Sequence, residues 1–339
     1  MRISRIISCS GWLLLGCGGG DGGLTGPLPD NHEKLVLESI PYSALRTTRL
    51  TFQRYEGENK GLISLDGPSG TGTITYSVDG PWVAMSPTSS ALAYLGYSPI
   101  GNHQRMTDVY MRALDAKSGT ALGGPGGLRD TPSWSPDGSR VVYAESAESF
   151  AFVMDRIVSQ SPVAGASDRQ VLWSGADCEY VLNPRQNATG KLVFVYYPRR
   201  ANCGLESKIA TVTPGAAAQV LYDPPSKIAV FAPTWSPSGQ EIAFFDVISF
   251  DQAGFENVSL MRMAADGSNL RTIAQVKQYG GLHPFNYSMC WAADGSRIFF
   301  TTDDALGVAH IFSVTAADGT VTQITSAAGA RDSSVSCRN

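Results

Sequence analysis

One short unit recurs along the chain and constrains the fold more than any other feature of the sequence. The clearest copy spans residues 132–143, and the pattern returns at residues 233–244 and 289–300. In each copy an apolar segment ends at a tryptophan, a turn containing glycine follows, and β-branched or aromatic residues resume. Glycine at such a turn and residues of high strand propensity around it predict a β-hairpin. Its recurrence predicts an architecture built from repeated hairpins.

Weaker copies of the unit define a period. Alignment on the residue that follows the end of the first strand gives positions 48 to 56 residues apart: Ser86, Ser135, Asn183, Ser236 and Ala292. This period is typical of one four-stranded blade of a propeller. No segment after residue 17 shows a helical period of 3.6 residues over the length of a helix. The sequence therefore predicts an all-β fold, a six-bladed β-propeller of four-stranded antiparallel blades.

The first blade lacks an obvious innermost strand in its own part of the sequence. Residues 49–52 and 62–65 have the composition of its second and third strands, whereas residues 331–337 are similar to residues 129–134. We therefore expect the C-terminal strand to fill the missing position and close the ring, which removes exposed strand edges. Residues 40–42 are a rival for the same position.

The N-terminus has the order of a bacterial export signal. Arg2 and Arg5 precede an apolar segment, residues 6–15, that is too short to cross a bilayer. The following Leu-Leu-Gly-Cys sequence, residues 14–17, resembles the lipobox of bacterial lipoproteins. This resemblance implies a lipoprotein signal peptide over residues 1–16 and lipidation of Cys17, and a plain secretory signal is the alternative. Residues 17–34 are glycine-rich and predict a flexible tether, which leaves residues 35–339 as the propeller domain.

Four cysteines follow the tether: Cys178, Cys203, Cys290 and Cys337. An even number of cysteines in an exported protein favours disulfide bonds. Three pairings are possible, and the proximity of Cys178 and Cys203 in the sequence favours that pair. Cys290 and Cys337 would then form the other.

The Trp-Ser-Pro-Asp-Gly-Ser-Arg-Val-Val-Tyr unit, residues 134–143, resembles the repeat of TolB-type propellers. The resemblance covers roughly residues 41–337 and implies a six-bladed propeller. The same module occurs in periplasmic scaffolds, peptidase propellers and polysaccharide lyases, so the resemblance predicts the fold rather than the function. The Gly-x-Ser-x-Gly motif of hydrolase nucleophiles does not occur in the sequence.

Several kinds of chemistry have no support in the sequence. The net charge is −4 and no basic stripe occurs, which argues against a nucleic-acid partner. The four histidines are not spaced as metal ligands, so we expect no metal and no cofactor. We interpret His310 as a packing residue. Four aspartates each precede a turn glycine, and we interpret them as turn residues: Asp137, Asp266, Asp294 and Asp318.

The long connections of the predicted blades lie on one face of the ring. In an up-and-down blade, this face carries the loops from the second to the third strand and from one blade to the next. We call it the long-loop face, and we expect it to bind a partner because aromatic and arginine side chains on its loops suit recognition. The alternative is that these loops merely cap the channel. The candidate binding residues are His103, Arg105, Arg199, Arg200, Phe250, Asp251, Phe255, Tyr279 and His283.

These observations lead to a functional hypothesis. We expect a non-enzymatic, monomeric binding or scaffold module that contacts an envelope protein or glycan and reaches the membrane only through its lipid anchor. Its expected location is the bacterial cell envelope, at the outer membrane and facing the periplasm or the exterior. The alternative is a polysaccharide lyase or hydrolase whose site lies at the mouth of the central channel, with carboxylates and His103 or His283 in acid–base roles.

Overall fold

The computed structural model describes residues 31–78, 80, 82–100, 104–123, 128–146, 154–163, 165–176, 179–198, 206–251, 256–278 and 287–338. Two short helical segments precede the strands: a 3-10 turn, His32–Lys34, and helix α1, Tyr42–Leu45. No helix in this described part of the chain has the length and apolar character needed to span a membrane.

Every later element is a β-strand. In chain order, the strands are β1 (Arg49–Glu56), β2 (Asn59–Asp66), β3 (Thr71–Thr75), β4 (Val83–Met85), β5 (Ala91–Ile100), β6 (Gln104–Ala113), β7 (Thr120–Ala121), β8 (Arg129–Trp134), β9 (Val141–Glu145), β10 (Arg156–Gln160), β11 (Gln170–Ser174), β12 (Tyr180–Gln186), β13 (Leu192–Tyr197), β14 (Lys208–Val212), β15 (Gln219–Tyr222), β16 (Ala229–Trp235), β17 (Glu241–Phe250), β18 (Glu256–Ala264), β19 (Arg271–Gln278), β20 (Met289–Trp291), β21 (Arg297–Asp303), β22 (Ala309–Thr315), β23 (Val321–Gln323) and β24 (Ala330–Arg338).

The strands form six four-stranded antiparallel sheets, which are the six blades predicted from the sequence. Blade 1 has the strand order β24-β1-β2-β3, and each of the other blades contains four consecutive strands. Blades 2 to 6 therefore begin at β4, β8, β12, β16 and β20. These first strands, together with β24, are the innermost strands, because a cavity on the ring axis is lined by residues from all of them.

The C-terminal strand closes the ring, as predicted. Strand β24 pairs with β1 in antiparallel register, with Leu50 opposite Cys337 and Tyr55 opposite Arg331. The rival segment, residues 40–42, does not occupy this position, because its last residue begins helix α1. This helix packs on the edge of the core through Ala44 and Leu45, which are buried.

A disulfide bond reinforces the closure. Cys290 in β20 is bonded to Cys337 in β24, with 5.5 Å between their Cα atoms. It joins the innermost strand of blade 6 to the strand that completes blade 1. The predicted pairing of Cys290 with Cys337 is thus confirmed, whereas Cys178 and Cys203 lie outside the described residues.

The apolar core lies between neighbouring blades. One cluster of buried side chains contains Val142 of blade 3, Phe194 of blade 4 and Phe244 of blade 5, all of them fully inaccessible to solvent. Each sheet therefore buries both faces against its neighbours. Burial of apolar area at these interfaces is the main force that holds the blades together.

Four of the innermost strands bend at a residue in the left-handed region. Thr131, Asn183, Ala232 and Ser334 have φ values of 44°, 52°, 49° and 56°. At each of them the pairing register with the second strand shifts, which is the geometry of a β-bulge. The bulge residue thus marks equivalent positions in the repeats.

This equivalence corrects the repeat alignment in blade 4. The sequence alignment placed Asn183 at the hairpin turn, beside Ser135, but Asn183 lies within β12 and corresponds to Thr131. The turn of blade 4 begins instead at Asn187, whose Oδ1 accepts a hydrogen bond from Thr189 N at 3.1 Å. A proline follows both Thr131 and Asn183, and this shared proline misled the alignment.

The turn aspartates have the structural role predicted from the sequence. Oδ1 of Asp137 accepts hydrogen bonds from the backbone N–H of Ser139 at 3.0 Å and from its hydroxyl at 2.8 Å. Hydrogen bonds from Ser135 and Ser139 hold the pKa of Asp137 below its ordinary value. The corresponding contact to the residue two positions later recurs at Asp266, Asp294 and Asp318.

Candidate functional site

Two hairpins of the long-loop face are extended. Strands β5 and β6 pair as far as Ile100 opposite Gln104, and β17 and β18 pair as far as Phe250 opposite Glu256. In β17, Ile242 to Val247 are buried, whereas the last three residues of the strand are exposed. The outer end of β17 therefore faces solvent, while Glu256, which pairs opposite Phe250 in β18, is buried.

Three exposed apolar side chains mark this part of the face. Ile248 and Phe250 at the end of β17 are 45% and 47% exposed, and Leu306 in the turn between β21 and β22 is 86% exposed. We call these three residues the apolar patch. Leu306 is held in place by a turn in which Oδ1 of Asp304 accepts the N–H groups of Leu306 and Val308 at 2.8 Å and 3.0 Å.

Hydrogen bonds connect the two halves of the apolar patch across the boundary between blades. Lys277 at the end of β19 donates from Nζ to Oδ2 of Asp251 at 3.0 Å, beside Phe250. The carbonyl oxygen of the same lysine accepts a hydrogen bond from Oγ1 of Thr302 in β21 at 2.7 Å. Strand β21 leads directly into the turn that carries Leu306, so blades 5 and 6 present the patch from one connected framework.

Buried carboxylates support the base of this face. Glu256 at the start of β18 is fully buried and accepts a hydrogen bond from the Tyr287 hydroxyl. Asp246 in β17 accepts the Tyr222 hydroxyl at 2.5 Å. Burial raises the pKa of both carboxyl groups. These two hydrogen bonds fasten strands β17 and β18 to the side chains of Tyr222 and Tyr287.

His310 is not the simple packing residue expected from the sequence. It is buried in β22, with Nδ1 3.5 Å from Oδ2 of Asp332 and Nε2 3.6 Å from Oδ2 of Asp304. The imidazole thus bridges the closing strand and the turn that carries Leu306. In the described part of the chain, no group of three His, Cys, Asp or Glu side chains is arranged to hold a metal ion.

The structure places three of the predicted binding residues. Phe250 and Asp251 lie at the outer end of β17, and Arg105 is the second residue of β6 in the other extended hairpin. The side chain of Arg105 is outside the described part. The remaining candidates also lie outside it: His103, Arg199, Arg200, Phe255, Tyr279, His283 and the proposed lipidation site Cys17.

A cavity of about 180 Å³ lies on the ring axis at the opposite end of the innermost strands. Pro87, Ser135 and Pro136, which belong to the short first-to-second turns, line this cavity. Its lining also includes Trp134, Trp235 and Arg185. The long-loop face and this cavity are therefore two separate places where another molecule has access to the ring.

Sequence reasoning missed two members of the apolar patch and the arginine of the cavity. Leu306 could have been identified from the turn sequence Asp-Asp-Ala-Leu-Gly, residues 303–307, in which one large apolar residue stands among residues typical of an exposed turn. Arg185 was hidden by the shifted alignment of blade 4. When the bulge residues are aligned, Arg185 occupies the position that the uncharged residues Ser133 and Thr234 hold in blades 3 and 5.

Neither a protein-family model nor a curated protein matches this sequence. The structure is similar to that of TolB from Acinetobacter baumannii, with a TM-score of 0.62 and 15% identity over 85% of this chain and 66% of that chain. It is also similar to a putative TolB from Agrobacterium tumefaciens, with a TM-score of 0.51 and 17% identity over 73% of this chain and 95% of that chain.

A puromycin hydrolase has a similar structure in part, with a TM-score of 0.50 and 16% identity over 73% of this chain but only 39% of that chain. At these identities the likeness shows the fold alone. The chain thus has the fold of TolB-type six-bladed β-propellers, as the repeat unit predicted.

Proposed function

We propose that this protein is a lipid-anchored binding module of the bacterial cell envelope that captures a partner protein through the apolar patch. The observation that carries the proposal is the exposure of Ile248, Phe250 and Leu306 on adjacent blades of one face. Clustered apolar side chains that remain exposed on a folded domain are typical of protein interaction sites. A propeller offers a rigid base for such a surface, since its loops project from paired strands.

The chemistry of the patch favours a protein over a glycan. Ile248 and Leu306 are aliphatic and supply neither the flat ring nor the hydrogen-bonding groups with which proteins contact sugars. A central apolar contact with a polar rim is the usual anatomy of a protein interface. Lys277 and Asp251, which are ion-paired at 3.0 Å beside Phe250, supply part of such a rim.

The anchor supplies the second half of the proposal. Cys17 would carry the lipid, and residues 18–30 would connect it to the 3-10 turn His32–Lys34, which contacts the propeller through the rings of His32 and Tyr76. A flexible glycine-rich chain of this length has a root-mean-square span of about 20 Å. The propeller would therefore remain near the membrane while the long-loop face stays free to meet a partner.

A matched pair of triple variants tests the binding face. The first replaces Ile248, Phe250 and Leu306 with serine. The control replaces three valines that are similarly exposed, at 45%, 42% and 45%, on the outermost strands of blades 3, 4 and 6: Val171, Val220 and Val321. Each protein is immobilised and incubated with detergent-solubilised envelope extract, and captured proteins are identified by mass spectrometry.

We expect the wild type and the triple-valine control to capture the same protein, and the patch variant to lose it. All three proteins should unfold at similar urea concentrations. Equal capture by the patch variant and the control would refute the placement of the site. Retention of a purified envelope glycan, or its cleavage, would replace the proposed partner with a carbohydrate or an enzymatic function.

The anchor is tested separately. Cys17→Ser should move the protein from the membrane fraction to the soluble fraction and abolish incorporation of a labelled fatty acid. Cys9→Ser, a change within the predicted signal peptide, should leave both properties unchanged. Membrane association of Cys17→Ser equal to that of the wild type would exclude lipidation at this residue without affecting the proposed binding face.

A further inference from the structure

Arg185 in β12 is the only charged residue among those that line the cavity on the ring axis in the described part of the chain. Its guanidinium carbon lies 5.6 Å from the centre of the Trp82 ring, which belongs to blade 2 on the other side of β8. Nε1 of Trp82 donates to the carbonyl oxygen of Pro132 in β8 at 3.0 Å, so Arg185 meets this ring beside the neighbouring blade 3. A cation over an aromatic face is partly stabilised by the ring electrons.

Two buried arginines form ion pairs that Arg185, which is partly exposed, lacks. Arg54 forms ion pairs with Glu38 and Asp332, and Arg129 forms ion pairs with Asp108 and Glu145. Among the described residues, no carboxylate lies within ion-pair distance of Arg185. Burial lowers the pKa of its guanidinium to about 10, so the group still carries its charge at neutral pH. Arg185 is partly exposed, so this cation without a carboxylate partner is available to pair with an anion that enters the cavity.

The walls of the cavity define the rest of the ligand. Trp134 and Trp235 contribute aromatic surface, and the Nε1–H groups of both are already bonded to backbone oxygens of Ala84 and Arg185, at 2.9 Å and 3.2 Å. Met85, Met289 and the Cys290–Cys337 disulfide add further apolar surface. Four polar residues share the lining: Ser135, Gln186, Thr234 and Ser336. The cavity therefore offers aromatic and apolar surface for the body of a ligand, together with hydrogen-bonding groups beside the guanidinium.

We propose that this cavity binds a small organic carboxylate, whose carboxylate group pairs with Arg185 and whose apolar body packs between Trp134 and Trp235. The planar fork of a guanidinium matches the two oxygens of a carboxylate. A phosphate dianion would need a second cation for neutrality, and none lines the cavity in the described part of the chain. The mouth of the cavity lies among the short turns, so this site is independent of the apolar patch on the long-loop face.

The test uses the purified full-length protein and named probes. Acetate, hexanoate and benzoate are titrated as carboxylates, with benzamide as the uncharged analogue of benzoate and inorganic phosphate as a different anion. Binding is followed by isothermal titration calorimetry and by tryptophan fluorescence, because Trp82, Trp134 and Trp235 surround the proposed site. Arg185→Met removes the charge, and Arg46→Met removes an exposed charge as the control.

We expect hexanoate or benzoate to bind more tightly than acetate, and benzoate to bind at least about tenfold more tightly than benzamide because only the former makes a charge-assisted bond. Arg185→Met should lose a similar factor, while Arg46→Met binds as the wild type does.

The proposal is overturned if no carboxylate probe binds, if phosphate binds more tightly than benzoate, or if Arg185→Met retains benzoate affinity within about threefold of the wild type. Should Arg185→Met fail to fold, Arg185→Lys decides, because lysine keeps the charge but lacks the planar fork. Weaker benzoate binding by Arg185→Lys supports the pairing, and unchanged binding excludes it.

Discussion

Arg54 and Asp332 lie 278 positions apart in the sequence and form a bidentate ion pair in which both side chains are fully buried. Nε of the arginine lies 2.7 Å from Oδ1 of the aspartate, and Nη2 lies 2.9 Å from Oδ2. The other edge of the guanidinium binds Glu38 of the N-terminal segment, and Thr325 donates a hydroxyl hydrogen bond to Asp332 at 2.5 Å. One polar network therefore fastens the closing strand to the first blade.

The first prediction concerns this network. Asp332→Asn removes one of the two negative charges around Arg54, and we expect it to lower the free energy of unfolding by about 3 kcal/mol, the range measured when a buried ion pair is broken. Asp223→Asn is the control, because Asp223 pairs with Lys208 at 2.8 Å on the surface, where the expected loss is below about 1 kcal/mol. Urea unfolding followed by tryptophan fluorescence measures both. Equal losses in the two variants would show that the network does not govern closure.

The disulfide bond leads to the second prediction. Cys290 and Cys337 are separated by 47 positions, so their bond restricts a long segment of the unfolded chain. The chain-entropy relation gives about 4 kcal/mol for a loop of this size. Replacement of both cysteines with alanine should lower the free energy of unfolding by up to this amount, and a reducing agent should have the same effect on the wild type. The double variant lacks this bond, so a reducing agent cannot lower its free energy of unfolding by breaking it. The double variant is therefore the control for the reducing agent.

The third prediction compares two tryptophans at equivalent positions. Nε1 of Trp235 donates to the carbonyl oxygen of Arg185 in the neighbouring blade at 3.2 Å. Nε1 of Trp291 is buried and finds no acceptor among the described residues. Substitution of either residue by phenylalanine removes the same atoms. We therefore expect Trp235→Phe to cost about 1 kcal/mol more than Trp291→Phe in urea unfolding, since only the former breaks a hydrogen bond. Equal costs would mean that ring packing outweighs the hydrogen bond at both positions.

The repeat unit was sufficient to predict the fold because a hairpin that recurs at a fixed period has few ways to bury its apolar faces. The closing strand was also predictable, since residues 331–337 carry the pattern of an innermost strand. The position of Arg185 was not. The proline after Asn183 matches both the strand proline of Pro132 and the turn proline of Pro136, and only the backbone distinguishes them.

The extended hairpins of the proposed binding face were predictable as loops rather than as side chains. Long connections in the sequence indicated both hairpins, and Phe250 lies at the outer end of β17 in one of them. The exposure of Leu306 depends on how the Asp304 turn is oriented, which composition does not reveal. Buried ion pairs such as Arg54 with Asp332 escape prediction for a related reason, because their partners are brought together only when the ring closes.

The last prediction concerns Asp130, a carboxylate in β8 that is 2% exposed and has no ion-pair partner among the described residues. Burial raises the pKa of this group from 3.8 to about 7. Between about pH 4 and pH 7 the folded protein therefore binds more protons than the unfolded chain, and the free energy of unfolding falls as the pH rises. Asp130→Asn should abolish this contribution, so that its stability relative to the wild type increases by about 3 kcal/mol across the interval. Urea unfolding at several pH values measures the difference.

Asp137→Asn is the control: the pKa of Asp137 lies below its ordinary value, so its difference from the wild type should stay constant over the same range. A constant difference for Asp130→Asn as well would show that Asp130 is ionised at acidic pH in the folded protein.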